Sequence, residues 1–138
     1  MYAIVDTGPL YAAVDASDAD HERCVAALQS PGLRLVVPAM VIAEATYPVG
    51  SRMGARVEAA FMRGLDALEV EAPTSEDLER MAELVERYAS FPLGGTDASV
   101  IATAERLGTD LLITLDQRHM RAVAPRHCDT LRILPGDA

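Results

Sequence analysis

The sequence predicts an α/β domain in which helices flank a central, mainly parallel sheet of four to five strands. Three observations lead there. Two short apolar stretches, Ala3-Ile4-Val5 and residues 110–115, read as buried strands, and each ends on a carboxylate, Asp6 and Asp116. Helix-like stretches alternate with strand-like ones along the chain. A length of 138 residues, half of them hydrophobic, suits one domain spanning residues 1–138 around one core.

Taken in order, strand 3–5 ends on Asp6, Thr7-Gly8-Pro9 breaks it, and residues 10–14 read as the first helix. Residues 18–28 form a second helix, with acids in the first turn where the helix dipole favours them, closed by Ser30-Pro31-Gly32. Residues 33–37 are the second strand. Pro38 fits the first position of a helix over 39–47, Pro48-Val49-Gly50 interrupts it, and residues 52–65 form another helix. Residues 68–72 alternate in polarity and read as an edge strand. Thr74 and Asp77 have capping-box spacing at the start of a helix to about residue 90. Its Glu76/Arg80 and Glu83/Arg87 pairs, four apart, read as solvated helix support. A loop over 91–95 leads to a helix over 97–107, capped by Thr96 and stopped by Gly108. The strand over 110–115 follows, then one helical turn over 119–123 and a last strand over 130–134.

The net charge is −9, which by itself argues against a nucleic-acid partner, because phosphate binding usually leaves a basic footprint. Two features counter this. Every basic residue apart from the three His is Arg, the better bidentate phosphate ligand, and acids gathered at a metal site reverse the local sign once a divalent ion binds. No apolar run approaches the ~20 residues that span a bilayer. The N-terminus has no charged leader, so the chain is expected to be complete and cytoplasmic, with no membrane partner. Cys24 and Cys128 make no disulfide framework and are expected to be reduced.

Four acids stand out by position. Asp6 and Asp116 follow apolar strands, where open α/β sheets place their ligands. Asp97 lies in the first turn of a helix, two residues after a Gly pair, and Glu44 sits among Val41, Ile42, Ala43 and Ala45. All four can reach one rim of one sheet. Carboxylates packed together repel and need a compensating cation. An all-oxygen donor set without Cys or His selects Mg²⁺ or Mn²⁺ over Zn²⁺. His21, His119 and His127 share no close spacing with one another or with these acids, and they read as surface or core residues. Divalent ions on such a cluster activate water and stabilise the leaving oxygen of an in-line displacement, which makes phosphodiester hydrolysis the natural reaction.

Four segments, residues 4–10, 37–44, 95–102 and 112–119, together resemble the PIN-domain ribonuclease family, and within it the VapC-type toxins of bacterial toxin–antitoxin pairs. Their order and their strand–helix setting carry the resemblance, which covers essentially the whole chain. It implies a PIN-like α/β/α sandwich. It places the family's acidic positions on Asp6, Glu44, Asp97 and Asp116, binding Mg²⁺ or Mn²⁺ for RNA cleavage. It places supporting hydroxyls on Thr7 and Thr114. Many relatives carry a further acid near the last one, whereas Gln117 and Arg118 follow Asp116 here, so a full second metal site is not implied. The resemblance further implies a structured RNA substrate such as tRNA or rRNA, a small inhibitory antitoxin, and a homodimer, for which the helix over 52–65 and the region near Ala39 are candidate surfaces. Arg52, Arg56, Arg118 and Arg121 are the candidate RNA contacts.

Two other readings stand beside this one. A PIN fold without catalysis would serve as an RNA- or protein-binding module, and loss of a carboxylate would mark it, but all four are present. A haloacid-dehalogenase-like phosphatase also begins with a strand ending in Asp, but it needs a second acid two residues on, where this chain has Gly8.

Overall fold

In the computed structural model, which describes residues 1–136, five parallel strands form one sheet in the order β3-β2-β1-β4-β5. The strands are β1 (Tyr2–Val5), β2 (Arg34–Pro38), β3 (Glu69–Glu71), β4 (Leu111–Ile113) and β5 (Arg132–Leu134). The chain builds outward from β1 through β2 to β3, then crosses back and places β4 on the other side of β1. The reversal falls between β1 and β4. At such a switch point the loops leaving the carboxyl ends diverge and open a crevice. The apolar runs explain why β1 and β4 sit in the middle: Ala3, Ile4, Val5, Leu112 and Ile113 are all fully buried. The alternating run becomes β3, at the edge, as its pattern predicts.

The helices are α1 (Thr7–Val14), α2 (His21–Leu28), α3 (Ala39–Met53), α4 (Ala55–Gly64), α5 (Ser75–Arg87), α6 (Gly95–Leu107) and α7 (Gln117–Ala122), with a 3-10 turn at Leu65–Ala67. Three boundaries differ from expectation. Thr7-Gly8-Pro9 is no break: it is the first turn of α1, where a missing Pro N–H costs nothing, and Asp6 caps it by accepting from Thr7 N at 2.8 Å. Pro48 lies inside α3 without ending it, and the helix stops instead at Gly54, whose φ of +87° suits glycine. Asp116 does not follow β4 directly, because Thr114 and Leu115 stand between them.

The α5 cap forms as its spacing predicts, with Asp77 N donating to Thr74 Oγ1 at 3.0 Å and Thr74 N donating to Asp77 at 3.1 Å. The expected solvated pairs along α5 do not. Arg80 is buried and pairs with Glu105 on α6 through two hydrogen bonds of 2.8 and 2.9 Å, and its contact with Glu83 is longer, at 3.4 Å. Arg106 pairs with the buried Asp77 at 2.9 Å. Glu83 pairs with Arg126 rather than with Arg87. Burial decides the partner, since a guanidinium inside the α5–α6 contact must meet a carboxylate that is also there. Among the described residues no helix is long and apolar enough to cross a membrane.

Candidate active site

The crevice at the carboxyl ends of β1 and β4 is a cleft of about 430 Å³ lined by Asp6, Thr7, Gly8, Glu44, Asp97, Leu115 and Asp116. The four acids singled out from the sequence, carried by different elements, thus line one cavity. Asp6 is the innermost, only 6 % exposed. Its backbone N–H continues the sheet by donating to Ile113 O at 2.9 Å, which ties it to the end of β4. Its Oδ1 accepts from Thr7 N, and its Oδ2 accepts from the fully buried Thr114 Oγ1 at 2.7 Å. The Thr114 hydroxyl in turn accepts from Asp116 N at 3.0 Å, so one side chain links the two acids. Gly8 packs closely on Leu115, whose side chain would have to shift slightly to admit a Cβ at 3.3 Å.

Asp97 lies in the first turn of α6 and accepts from Gly94 N at 3.4 Å; Thr96, expected as the cap, is already inside the helix. Glu44 lies on α3 and is exposed, although Val41 and Ala45 on the same helix are fully buried. Asp116 caps α7 through His119 N at 3.1 Å, and it also lies 2.9 Å from His119 Nδ1. His119 therefore touches the cluster, contrary to its reading as an unconnected residue. The three-residue spacing from a helix-capping Asp was the available signal.

The electrostatics are those of unbalanced like charges. Burial pushes the Asp6 carboxyl up to about 6, against the pull of its hydrogen bonds from Thr114 and Thr7, with Asp97 and Glu44 adding to the rise. Burial also raises Asp97, and Asp116 and Glu44 push it further. Among the described residues no Arg pairs with any of the four. The Thr7 hydroxyl oxygen is buried and has no hydrogen-bond partner among them.

These features fit a hard divalent cation: an all-oxygen donor set, excess negative charge and an orphaned hydroxyl in one cleft. No three His, Cys, Asp or Glu among the described residues are gathered into a ready metal cage.

Of the four candidate RNA contacts, Arg118 and Arg121 lie on α7 and are exposed. The Arg118 guanidinium lies over the Phe91 ring, 5.6 Å from its centroid. Arg52, exposed near the end of α3, lies 5.2 Å over the Tyr11 ring, and Arg56 is exposed on α4.

The PIN-domain family model matches residues 3–124. Ribonuclease VapC26 of Mycobacterium tuberculosis is 33 % identical over 134 residues, covering 96 % of this chain and 99 % of that protein. The crystal structure of M. tuberculosis VapC20, described as a sarcin-ricin loop cleaving toxin, superposes with a TM-score of 0.77 at 21 % identity, over 96 % of this chain and 100 % of that one. The VapBC2 complex of Rickettsia felis, bound to a DNA fragment from its promoter, gives 0.72 at 15 % identity, over 96 % and 98 % of the two chains. A toxin–antitoxin complex from Klebsiella pneumoniae gives 0.70 at 18 % identity, over 88 % and 92 %. These structural likenesses show a shared fold.

Proposed function

This chain belongs to the PIN-domain family, in its VapC-type branch, and from that premise we propose that it is a Mg²⁺- or Mn²⁺-dependent endoribonuclease, the toxin of a toxin–antitoxin pair, acting on structured RNA such as tRNA or rRNA. The observation that carries the chemistry is the convergence of Asp6, Glu44, Asp97 and Asp116 on one cleft, with no Arg paired to them among the described residues. Carboxylates from among Asp6, Asp97, Asp116 and the exposed Glu44 would hold the cation together with water and substrate oxygens, with the Thr7 hydroxyl close by. A bound divalent ion supplies a lowered pKa for water and charge stabilisation at the scissile phosphate.

The chain's own residues do the rest. Thr114 and Thr7 N–H fix the rotamer of Asp6, and His119 fixes that of Asp116, so the carboxylates face the cleft before substrate arrives. Hydrolysis adds the oxygen of water to phosphorus and breaks one P–O bond; a cleft carboxylate accepts a proton from the attacking water, and a proton is returned to the leaving oxygen, so the products are a phosphomonoester and a free hydroxyl.

The partner reading rests on the VapC relationship and on the toxin–antitoxin complexes that share the fold. An apolar cleft of about 370 Å³ between α1 and α4, lined by Leu10, Val14, Val57, Phe61, Leu65 and Leu68 among others, offers surface for a protein partner. Exposed Met40 and Tyr47 on α3 and Met62 on α4 do the same for a homodimer, near the surfaces expected from sequence. Cytoplasmic action follows from the RNA substrate. The test is incubation of purified, antitoxin-free protein with total cellular RNA in Mg²⁺ or Mn²⁺, beside EDTA and Asp97→Asn. Discrete fragments that need both the metal and Asp97 are expected. Intact RNA from folded protein in both metals would contradict the enzyme and leave a non-catalytic PIN module.

A further inference from the structure

The chain has two phenylalanines. Phe61 is buried beneath α4, as an apolar ring should be. Phe91 is different: it lies half-buried in the loop before α6, beside the cleft rather than in the core. Its ring meets His119 edge-on, with centroids 5.1 Å apart, and the exposed Arg118 guanidinium lies over it at 5.6 Å. His119 in turn contacts Asp116 at 2.9 Å, and Asp116 lines the cleft. A continuous chain of contacts therefore runs from a cleft carboxylate through an imidazole and a phenyl ring to a guanidinium open to solvent.

We infer that Phe91, Arg118 and His119 form a nucleobase subsite that stacks an unpaired base of the RNA next to the scissile phosphate. This rests on the ribonuclease reading of the cleft. Single-stranded RNA is held by stacking its bases on aromatic rings and on guanidinium planes, and this ensemble presents both, already packed against each other. A planar cation fixed over a ring loses little freedom when a base stacks on it, unlike a free surface Arg. The position also answers an electrostatic need. The cleft is acidic and the whole chain carries −9, so an RNA strand approaching Asp116 gains from an attraction that its phosphates do not have to supply alone. Stacking is uncharged, and Arg118 adds a positive charge two residues from Asp116.

The experiment compares two probes of equal phosphate charge, a mixed-sequence hexaribonucleotide and a hexamer of abasic spacers, by competition binding to the purified protein in EDTA and again in Ca²⁺. The base-bearing probe is expected to bind about tenfold more tightly. Phe91→Leu, which keeps an apolar side chain without the ring, and Arg118→Gln, at an exposed position, should each shrink that ratio by about fivefold, while Phe91→Tyr keeps it. Loss of the ratio in Arg118→Gln alone still supports the subsite if Phe91→Leu fails to fold. Equal affinity for the two probes, or a ratio unchanged in both variants, overturns the subsite while metal-dependent RNA cleavage leaves the nuclease reading intact. Binding of neither probe also overturns it, and cleavage of cellular RNA then shows separately whether the ribonuclease reading survives.

Discussion

The cleft at the carboxyl ends of β1 and β4 and the contact between α5 and α6 hold acids in opposite states of balance. Against α6, the buried Arg80 meets Glu105 with two hydrogen bonds, Arg106 meets the buried Asp77, and Arg126 N–H donates to Glu105 at 2.8 Å. Burial alone would raise Glu105, but the hydrogen bonds from Arg80 and Arg126 outweigh it and hold the carboxyl below its usual range. In the cleft, burial raises Asp6 and Asp97, and the neighbouring charges on Asp6 are more carboxylates. One region is internally neutralised and structural. The other has no Arg against its carboxylates among the described residues, and it lies at the switch point of the sheet.

The contrast can be broken at four points. The largest effect belongs to Asp97→Asn, which should reduce metal-dependent RNA cleavage by on the order of 10³-fold while the melting temperature stays the same or rises. A retained activity would move the reaction elsewhere. Next, Arg80→Ala strands Glu105 inside the α5–α6 contact and should destabilise the protein by about 3–5 kcal/mol in urea unfolding, whereas no cleft-acid substitution should approach that loss. A cost below ~1 kcal/mol would mean that the pair is screened as a surface pair is.

The third point is pH. Asp6 binds its proton more tightly folded, at about 6, than unfolded, at its ordinary value of 3.8. Its contribution favours folding below about pH 3.8 and is lost as pH rises through about 6, up to about 3 kcal/mol by pH 7.5. Glu105 has the opposite sign: its lowered pKa stabilises above the unfolded value and is lost on acidification. Urea midpoints in EDTA at pH 4.5 and 7.5 should therefore show Asp6→Asn gaining clearly more on wild type at the higher pH than at the lower. Equal gains at both would contradict the buried-charge account. The smallest effect is Thr114→Val, which removes the bond to Asp6 Oδ2 and should cost about 10–100-fold in cleavage, with Thr114→Ser largely restoring it.

What could be read from the sequence divides along the same line. The cleft acids were visible because each stands beside a local signal: an apolar run before Asp6, a Gly pair before Asp97, an apolar helix around Glu44. The central strands were visible for the same reason. The Arg80–Glu105 pair was not, since 25 residues separate its members and the nearer Glu76 and Glu83 offered conventional helix spacing. Pro48 misled because α3 continues through its missing N–H, while Gly54, unremarked in sequence, supplies the positive φ that ends the helix. His119 has no sequence signal of its own, because helical spacing from Asp116 matters only once α7 is known to start at Gln117.

The most direct test of the unbalanced cleft is a titration of metal-free protein with Mn²⁺ up to 10 mM at pH 7.5, following the melting temperature of wild type and Asp6→Asn. Wild type should start lower and rise with Mn²⁺, as a ligand that binds only the folded state requires, whereas Asp6→Asn should start higher and respond little. A wild-type protein that melts at the same temperature with and without Mn²⁺, and no lower than Asp6→Asn, would contradict the claim that these carboxylates are held in wait for a cation.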